Sequence, residues 1–386
     1  MQDRSIGQCI RELRGRLYTQ RQLAERAEVS VDLVRKLEQG SRNSASVASL
    51  HRLARALDVS LADLLGRGSF PKSETNEGVT ALRFAVAGVG DLLDGSEPEP
   101  LDAREAERTL SHLWGAYWDG EYEQLVSLLP PVLESLRALD SSPAAVVHGY
   151  WLAGYVLVQL RQPDAAFLAI RQAVESAERA GDPLLVATLH GTLAWQLMVS
   201  GRHAEAESLA LRAAGGVEPR GRATPPALST YGSLVLTAAT AASRGRKPSR
   251  ARDLVAESAE IADRLGEDRQ DYRTAFGPSQ VVMQTVDVGL QSEEFADALV
   301  AARKMPRMGS ALPLAARARH LTDRAKAHTR LGQYGEAANL VLTAEQWAPS
   351  WARHQSLLKS VTRDLLHSRA SRAPRLRSMA ARIGVR

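Results

Sequence analysis

The residue types that usually carry catalysis or bind metals are scattered along this sequence. Cys9 is the one cysteine, which excludes a disulfide and a cysteine-built zinc site and fits a reducing compartment. Histidines such as His112, His203 and His354 fall within helical patterns, without a second ligand or base at a suitable spacing. The sequence contains no Gly-x4-Gly-Lys-Ser/Thr phosphate loop, His-Glu-x2-His or Gly-x-Ser-x-Gly motif. We therefore expect a protein that is not an enzyme, with no cofactor and no metal.

Composition places the chain among globular proteins of modest charge. Of its 386 residues, 44% are apolar and 24% are charged, and the formal net charge is +5. Residues 1–66 carry 11 basic and 8 acidic side chains, a net of +3, so the rest of the chain carries +2. The start is polar, and no continuous apolar span reaches the roughly 20 residues that cross a bilayer. We expect a cytoplasmic protein with no membrane partner.

Helix-start signals divide the first 66 residues into short elements. Thr19 and Gln22 have the spacing of a capping box, which predicts the start of a second helix. Ser30 is a suitable N-cap for a third helix, and Gly40 ends it. Five helices joined by tight turns are expected. The first covers about 6–17, the second begins at 19, and the others cover about 30–40, 46–57 and 60–65. A linker over 67–78 follows them.

From residue 79 onward, nearly every segment has the alanine- and leucine-rich pattern of an amphipathic helix, with no convincing strand alternation. Small residues recur at a shared spacing, with glycine in the turn and proline after the second helix, as expected where two antiparallel helices approach closely. This pattern predicts helical repeats. The clearest copies are Tyr150-x3-Gly154-x11-Ala166-x6-Ala173, His190-x3-Ala194-x6-Gly201-x4-Ala206-x6-Ala213 and Leu321-x3-Ala325-x6-Gly332-x4-Ala337-x6-Ala344-x4-Pro349.

A longer motif identifies the first region. It reads Thr19-Gln20-x2-Leu23-Ala24-x4-Val29-Ser30-x3-Val34-x2-Leu37-Glu38-x-Gly40, then Leu50-x2-Leu53-Ala54-x2-Leu57. The motif resembles the Cro/C1-type helix-turn-helix of the Xre family, although the spacing from Leu13 to Gln20 is one residue shorter than usual there. Residues 100–365 resemble tetratricopeptide repeats. The combined layout is similar to actinobacterial Xre regulators with repeat domains, and more distantly to the peptide-sensing quorum regulators of Gram-positive bacteria.

The resemblance implies an all-α protein built from two regions. A small five-helix Cro/C1-type helix-turn-helix domain would cover 1–66, and a linker would follow over 67–78. An α-solenoid of tetratricopeptide-like helix pairs would cover 79–386 and serve sensing or dimerisation.

The same resemblance implies how the first region meets DNA. The third helix would enter the major groove, while the start of the second helix would lie against a phosphate. Asp32 has two open interpretations, since it could accept from a cytosine amino group or simply favour the positive helix terminus. Glu38 is expected to be an internal partner for Arg14. The expected DNA-contacting residues are Gln20, Val31, Asp32, Arg35, Lys36 and Arg42.

Positions one residue past the packing positions of each first repeat helix are expected to face a concave groove. The aromatic rings at these positions, Trp151, Tyr155 and Trp195, either line a ligand pocket or fill the inner core of the superhelix, and both interpretations stay open. By the resemblance, peptide-sensing relatives hold the peptide backbone with groove asparagines, whereas Asn43, Asn76 and Asn339 lie outside these positions here. A peptide, a small molecule, a protein partner and a purely structural role in dimerisation therefore all stay open. The expected groove residues are His148, Trp151, Tyr155, Thr188, Trp195, Met198, Arg319, Thr322 and Lys326, with Gln280, Met283 and Asp287 from a weaker alignment.

These expectations combine into a sequence-specific DNA-binding transcriptional regulator that acts on a double-stranded operator. One such domain buries too little surface for specific control, so a homodimer reading two half-sites is expected. The alternative is a protein–protein adaptor that uses the helix-turn-helix to dock partners.

Overall fold

The computed structural model describes residues 6–15, 18–42, 45–57, 72–89, 101–138, 143–306, 312–368 and 373–385. Most of these residues are helical, and their only sheet is one two-stranded hairpin, so the all-α class and the helical solenoid are confirmed. The chain divides into two compact units. The first unit is Met1–Ser111 with Glu123–Gly149, and the second is His112–Tyr122 with Tyr150–Arg386.

Four short helices begin the first unit. They are α1 (Ile6–Arg14), α2 (Gln20–Arg26), α3 (Val31–Glu38) and α4 (Val47–Ala56). Their shared core contains Ile10, Leu23, Val34, Leu37 and Leu53, each no more than 1% exposed. Burial of these apolar side chains stabilises helices that are too short to persist alone in water.

The first helix approaches the third very closely. A Cβ atom added to Gly7 would lie 1.8 Å from the carbonyl oxygen of Leu37. Only glycine therefore lets the backbone of α1 rest against the end of α3.

Two boundaries differ from the expectation. The first helix ends at Arg14 instead of residue 17, because Gly15 adopts a left-handed φ of 48° that stops it. A further helix, α5 (Lys72–Ala87), begins inside the stretch 67–78 that was expected to be a linker. The expected fifth short helix at 60–65 lies outside the described residues.

Three longer helices contribute to both units: α6 (Ala103–Asp119), α7 (Tyr122–Arg137) and α8 (Pro143–Gln159). Within the first unit, glycines allow close helix packing. A Cβ atom on Gly78 would lie 3.0 Å from Val126, and one on Gly149 would lie 2.6 Å from Leu136.

The second unit continues as helices connected by short turns. Their bounds are α9 Pro163–Ala180, α10 Pro183–Val199, α11 His203–Gly216, α12 Pro225–Arg244, α13 Pro248–Leu265, α14 Pro278–Gln291, α15 Phe295–Ala302, α16 Leu314–Arg330, α17 Tyr334–Trp347, α18 Pro349–His354, α19 Ser356–Leu366 and α20 Pro374–Arg382.

The small residues of the repeat pattern occupy the predicted places. Ala166, Ala206 and Ala337 are fully buried between packed helices. Gly201 and Gly332 lie in turns with φ of 82° and 72°, a conformation that glycine adopts without steric cost. The helix α17 ends two residues before Pro349, which opens the next helix.

One short hairpin corrects the expectation of no strands. Strand β1 (Arg269–Asp271) pairs antiparallel with β2 (Thr274–Phe276), with Arg269 opposite Phe276. Strands of three residues are too short to show alternation in the sequence. Phe276 is 1% exposed, and its ring takes the space that a Cβ atom on Gly232 would need.

None of the helices in the described part of the chain combines the length and apolar character needed to cross a membrane.

Candidate functional site

A large cavity lies within the second unit. Its volume is about 1590 Å³, above the roughly 300–1,000 Å³ typical of sites for one drug-sized ligand. Helices α6, α8, α9, α10, α12, α14 and α16, the hairpin and the turn between α18 and α19 all contribute side chains to its wall. It therefore has room for a ligand larger than one drug-sized molecule.

Most of the expected groove residues meet at this cavity. The repeat alignment placed them on one wall because equivalent positions of successive repeats share a face. The expected residues that line the cavity are Tyr155, Thr188, Trp195, Met198, Gln280, Met283, Asp287 and Arg319.

Four expected groove residues lie elsewhere. Trp151 is fully buried, and its Nε1 donates to Thr192 Oγ1 at 3.0 Å, so its ring fills the core. Thr322 is also fully buried and donates to the carbonyl of Ala318 at 2.9 Å. His148 is half-buried and is not among the residues that line the cavity. Lys326 lines a smaller neighbouring cavity of about 360 Å³.

Aromatic rings form one part of the cavity wall. The ring of Tyr155 lies with its centroid 5.2 Å from that of Trp195 and 5.2 Å from that of Tyr117. Burial raises the pKa of Tyr155, so its hydroxyl stays neutral, and it accepts a hydrogen bond from Thr192 Oγ1 at 3.4 Å. This part of the wall is suited to an apolar or aromatic group.

Two arginines and two aspartates form a second part of the wall. Arg244 Nη2 donates to both oxygens of Asp287 at 3.2 and 3.3 Å, and Arg319 Nη2 donates to Asp287 Oδ1 at 3.3 Å. Arg319 Nε donates to the two oxygens of Asp323 at 3.0 and 3.1 Å. Burial raises the pKa of Asp323 to about 6, against the opposing effect of Arg319. We call these four residues the charge cluster.

The face that the sequence predicts to contact DNA lies in the first unit, and the predicted caps fix the helices that form it. Thr19 Oγ1 accepts from Gln22 N at 3.2 Å and Gln22 Oε1 accepts from Thr19 N at 2.8 Å, which confirms the capping box. Ser30 Oγ accepts from Leu33 N at 3.2 Å and fixes the start of α3. With Val34 buried, the other side of α3 faces outward.

The outward side of α3 carries an ion-paired triad. Asp32 Oδ1 is 2.5 Å from Arg35 Nη2, and Asp32 Oδ2 is 2.7 Å from Lys36 Nζ. Hydrogen bonds from Lys36 and Arg35 lower the pKa of Asp32. Val31 lies beside the triad and is 44% exposed. Three polar side chains and one apolar side chain expected to contact DNA thus share one exposed face.

The two expected phosphate contacts differ in their surroundings. Gln20 Nε2 donates to Glu38 Oε2 at 2.7 Å, which orients the amide, while Arg42 is exposed after α3. Arg14 Nε donates to Glu38 Oε1 at 2.7 Å, which confirms the expected internal pair. Burial alone would raise the pKa of Glu38, but the hydrogen bonds from Arg14 and Gln20 lower it overall.

Residues 5–65 match a protein-family model described as "Helix-turn-helix domain". This region is a helix-turn-helix domain. No curated protein matches the chain.

Several solved structures are similar to larger parts of the chain. The crystal structure of Bacillus thuringiensis PlcR in complex with the peptide PapR7 and DNA has 14% identity and a TM-score of 0.41, covering 78% of this chain and 92% of that one. A Rap protein complexed with competence and sporulation factor has 12% identity and a TM-score of 0.47, covering 92% and 90%. The apo competence regulator ComR from Streptococcus vestibularis has 14% identity and a TM-score of 0.25, covering 82% and 97%.

The sequence did not point to several residues of the cavity. Arg244 and Asp323 join the charge cluster, and Asp271 and Thr274 of the hairpin line the same cavity. The i, i+4 spacing of Arg319 and Asp323 was a usable signal for one ion pair. Arg244 gave no such signal, because its partner Asp287 lies 43 positions away.

Among the residues that the structure describes, no three histidine, cysteine, aspartate or glutamate side chains cluster so as to hold a metal ion.

Proposed function

We propose that this protein is a sequence-specific DNA-binding transcriptional regulator of the Xre type, acting in the cytoplasm as a homodimer without catalysis of its own. The observation that carries the proposal is the exposed triad on α3 within a helix-turn-helix domain. An exposed helix bearing arginine and lysine is suited to the major groove, which accepts a helix and displays a distinct pattern for each base pair.

Each side chain of the DNA face has a separate role in this proposal. Arg35 and Lys36 donate to guanine or phosphate, Asp32 accepts from a cytosine amino group, and Val31 packs on a thymine methyl. The Glu38-oriented amide of Gln20 contacts a phosphate, as does Arg42.

The repeat region would supply both dimerisation and response to an effector. A dimer places two α3 helices on half-sites one helical turn apart. An effector, either a peptide or a small molecule, would bind in the cavity of the second unit. It would change DNA binding by favouring one arrangement of the two α3 helices of the dimer over another. Light scattering on the purified chain, with and without duplex, measures the predicted dimer directly.

The test is anisotropy of a labelled duplex from the region upstream of the protein's own gene. We expect the double variant Arg35→Ala/Lys36→Ala to lose at least about tenfold in specific affinity, because each good base contact contributes about 1–3 kcal/mol. The control Arg171→Ala/Lys304→Ala removes the same charges from exposed positions in the second unit and should bind normally. An unchanged sequence preference in the α3 variant would refute the assignment.

The adaptor alternative predicts a different response to salt. If the domain engages about six phosphates, affinity should fall on the order of 10³-fold between about 50 and 200 mM salt, because bound cations displace counterions from DNA. A weak response to salt, with tight binding to a protein partner, would favour the adaptor. Genome-wide footprinting of the intact protein would then show no defined sites.

A further inference from the structure

The charge cluster forms the boundary between the two cavities of the second unit. Arg244, Asp287, Arg319 and Asp323 line both the large cavity and the smaller one. Lys326, two turns after Arg319 on α16, adds a further cation to the wall of the smaller cavity. The shared boundary therefore carries two cations and two carboxylates, and with Lys326 the wall of the smaller cavity has an excess of one positive charge.

The cations at this boundary have hydrogen-bonding capacity to spare. An arginine offers five N–H donors. Arg244 donates through Nη2 at 3.2 and 3.3 Å, longer than the roughly 2.7–2.9 Å of strong charge-assisted bonds. Its Nε is buried and donates to no group in the described part of the chain. No carboxylate of the described residues pairs with Lys326 Nζ.

Apolar surface lines the same large cavity. Val199 is 55% exposed and Phe167 is 39% exposed, although both are large hydrophobic side chains at its wall. The half-buried rings of Tyr155 and Trp195 lie there as well. Exposed apolar surface within a cavity that also contains spare cationic donors matches a ligand with one apolar part and one anionic part.

We propose that the two adjoining cavities together bind an amphipathic organic acid. Its anionic group would lie at their boundary, on the side of the smaller cavity, where Arg244, Arg319 and Lys326 all line the wall, and its apolar body would extend into the large cavity against the aromatic part of the wall. This inference rests on the proposal that the cavity receives the effector, and it names the chemical class of that effector.

The experiment compares two fluorescent probes of the same aromatic skeleton. Anilinonaphthalene sulfonate carries one anionic group, and phenylnaphthylamine lacks it. Both are titrated into the full-length protein without DNA, and their fluorescence enhancement gives the dissociation constants. We expect Arg244→Gln and Lys326→Gln each to weaken sulfonate binding by about tenfold, the effect of losing one charge-assisted contact. Binding of the neutral probe should not change.

The Lys326→Gln variant and one further control variant separate this result from simple unfolding. Lys326→Gln breaks no ion pair of the described residues, so it leaves no carboxylate unpaired. Lys304→Gln removes a lysine from an exposed position outside both cavities and should bind both probes normally. The proposal is overturned if the cavity variants weaken both probes equally, or if neither variant weakens the sulfonate.

Because the probes are measured without DNA, the outcome is independent of operator binding. A variant that binds the upstream duplex normally but has lost sulfonate binding supports the anion site. Normal sulfonate binding in every variant removes the anion site and leaves the DNA-binding proposal standing.

Discussion

Two aspartates in this molecule each lie between two cations, in very different surroundings. Asp32 contacts Arg35 and Lys36 on the outer face of α3, where all three side chains are about half exposed. Asp287 contacts Arg244 and Arg319 in the second unit, with its own side chain only 8% exposed. Water and salt screen the first group, so a partner can break it at little cost. The second group lies where an unpaired charge is costly, so it defines the local structure.

Removing the buried aspartate should have the largest effect. Asp287→Asn would leave two arginines without their shared carboxylate and lower the free energy of unfolding by about 3 kcal/mol. This is the low end of the range for a broken buried pair, because both arginines remain about one third exposed. All 6 tryptophans lie in the second unit, so their fluorescence during urea unfolding reports this change. Asp297→Asn, at an exposed position, is the control.

Protonation of Asp323 should change anion binding at the buried charge cluster, an effect that the exposed triad on α3 does not share. The carboxyl of Asp323, with a pKa of about 6, faces Arg319 on its own helix, Asp287 on α14 and Arg244 on α12. As pH falls through about 6 it loses its negative charge, so the cations attract an anion more strongly. We expect anilinonaphthalene sulfonate to bind about tenfold more tightly at pH 5 than at pH 7.5.

Asp323→Asn should remove this pH dependence, because its side chain cannot ionise. His203 and His354 also line the large cavity. A pH response that survives in Asp323→Asn would have another source and would contradict the prediction.

The exposed aspartate should give the smallest effect. We expect Asp32→Asn to leave the urea midpoint unchanged, because solvent already screens the pairs that it removes. It should raise affinity for random-sequence duplex by about threefold, since it releases two cations to phosphates. Circular dichroism during urea unfolding measures the midpoint, and anisotropy with random and upstream duplexes measures the affinities. A lower non-specific affinity would show that Asp32 does not restrain Arg35 and Lys36.

The sequence predicted local features better than distant ones. The capping box of Thr19 and Gln22 and the cap at Ser30 depend on neighbours three residues apart, so their spacing is visible in the chain. The left-handed turns at Gly201 and Gly332 were likewise marked by residue type. The Glu38–Arg14 pair spans 24 positions and was found only through the resemblance to a known family.

Side-chain direction within a repeat helix was harder to predict. Trp151 and Thr322 were expected in the groove but are fully buried. Successive residues of a helix point about 100° apart, so an error of one position in the repeat alignment moves a residue from the groove wall to the core. The pairing of Arg244 with Asp287 depends on how neighbouring repeats rotate against each other, which no local pattern encodes. The hairpin escaped notice because its strands are three residues long.

The contact at Gly7 has a consequence for how the domain could read different operators. The backbone of α1 lies directly against the carbonyl of Leu37, with no side chain between the two helices that could give way. Helices α3 and α1 are therefore expected to move together as one rigid unit. Under the proposal that a dimer presents α3 to DNA, adaptation to a poorly matched site would then fall to the bending of the duplex and to the separation of the two copies.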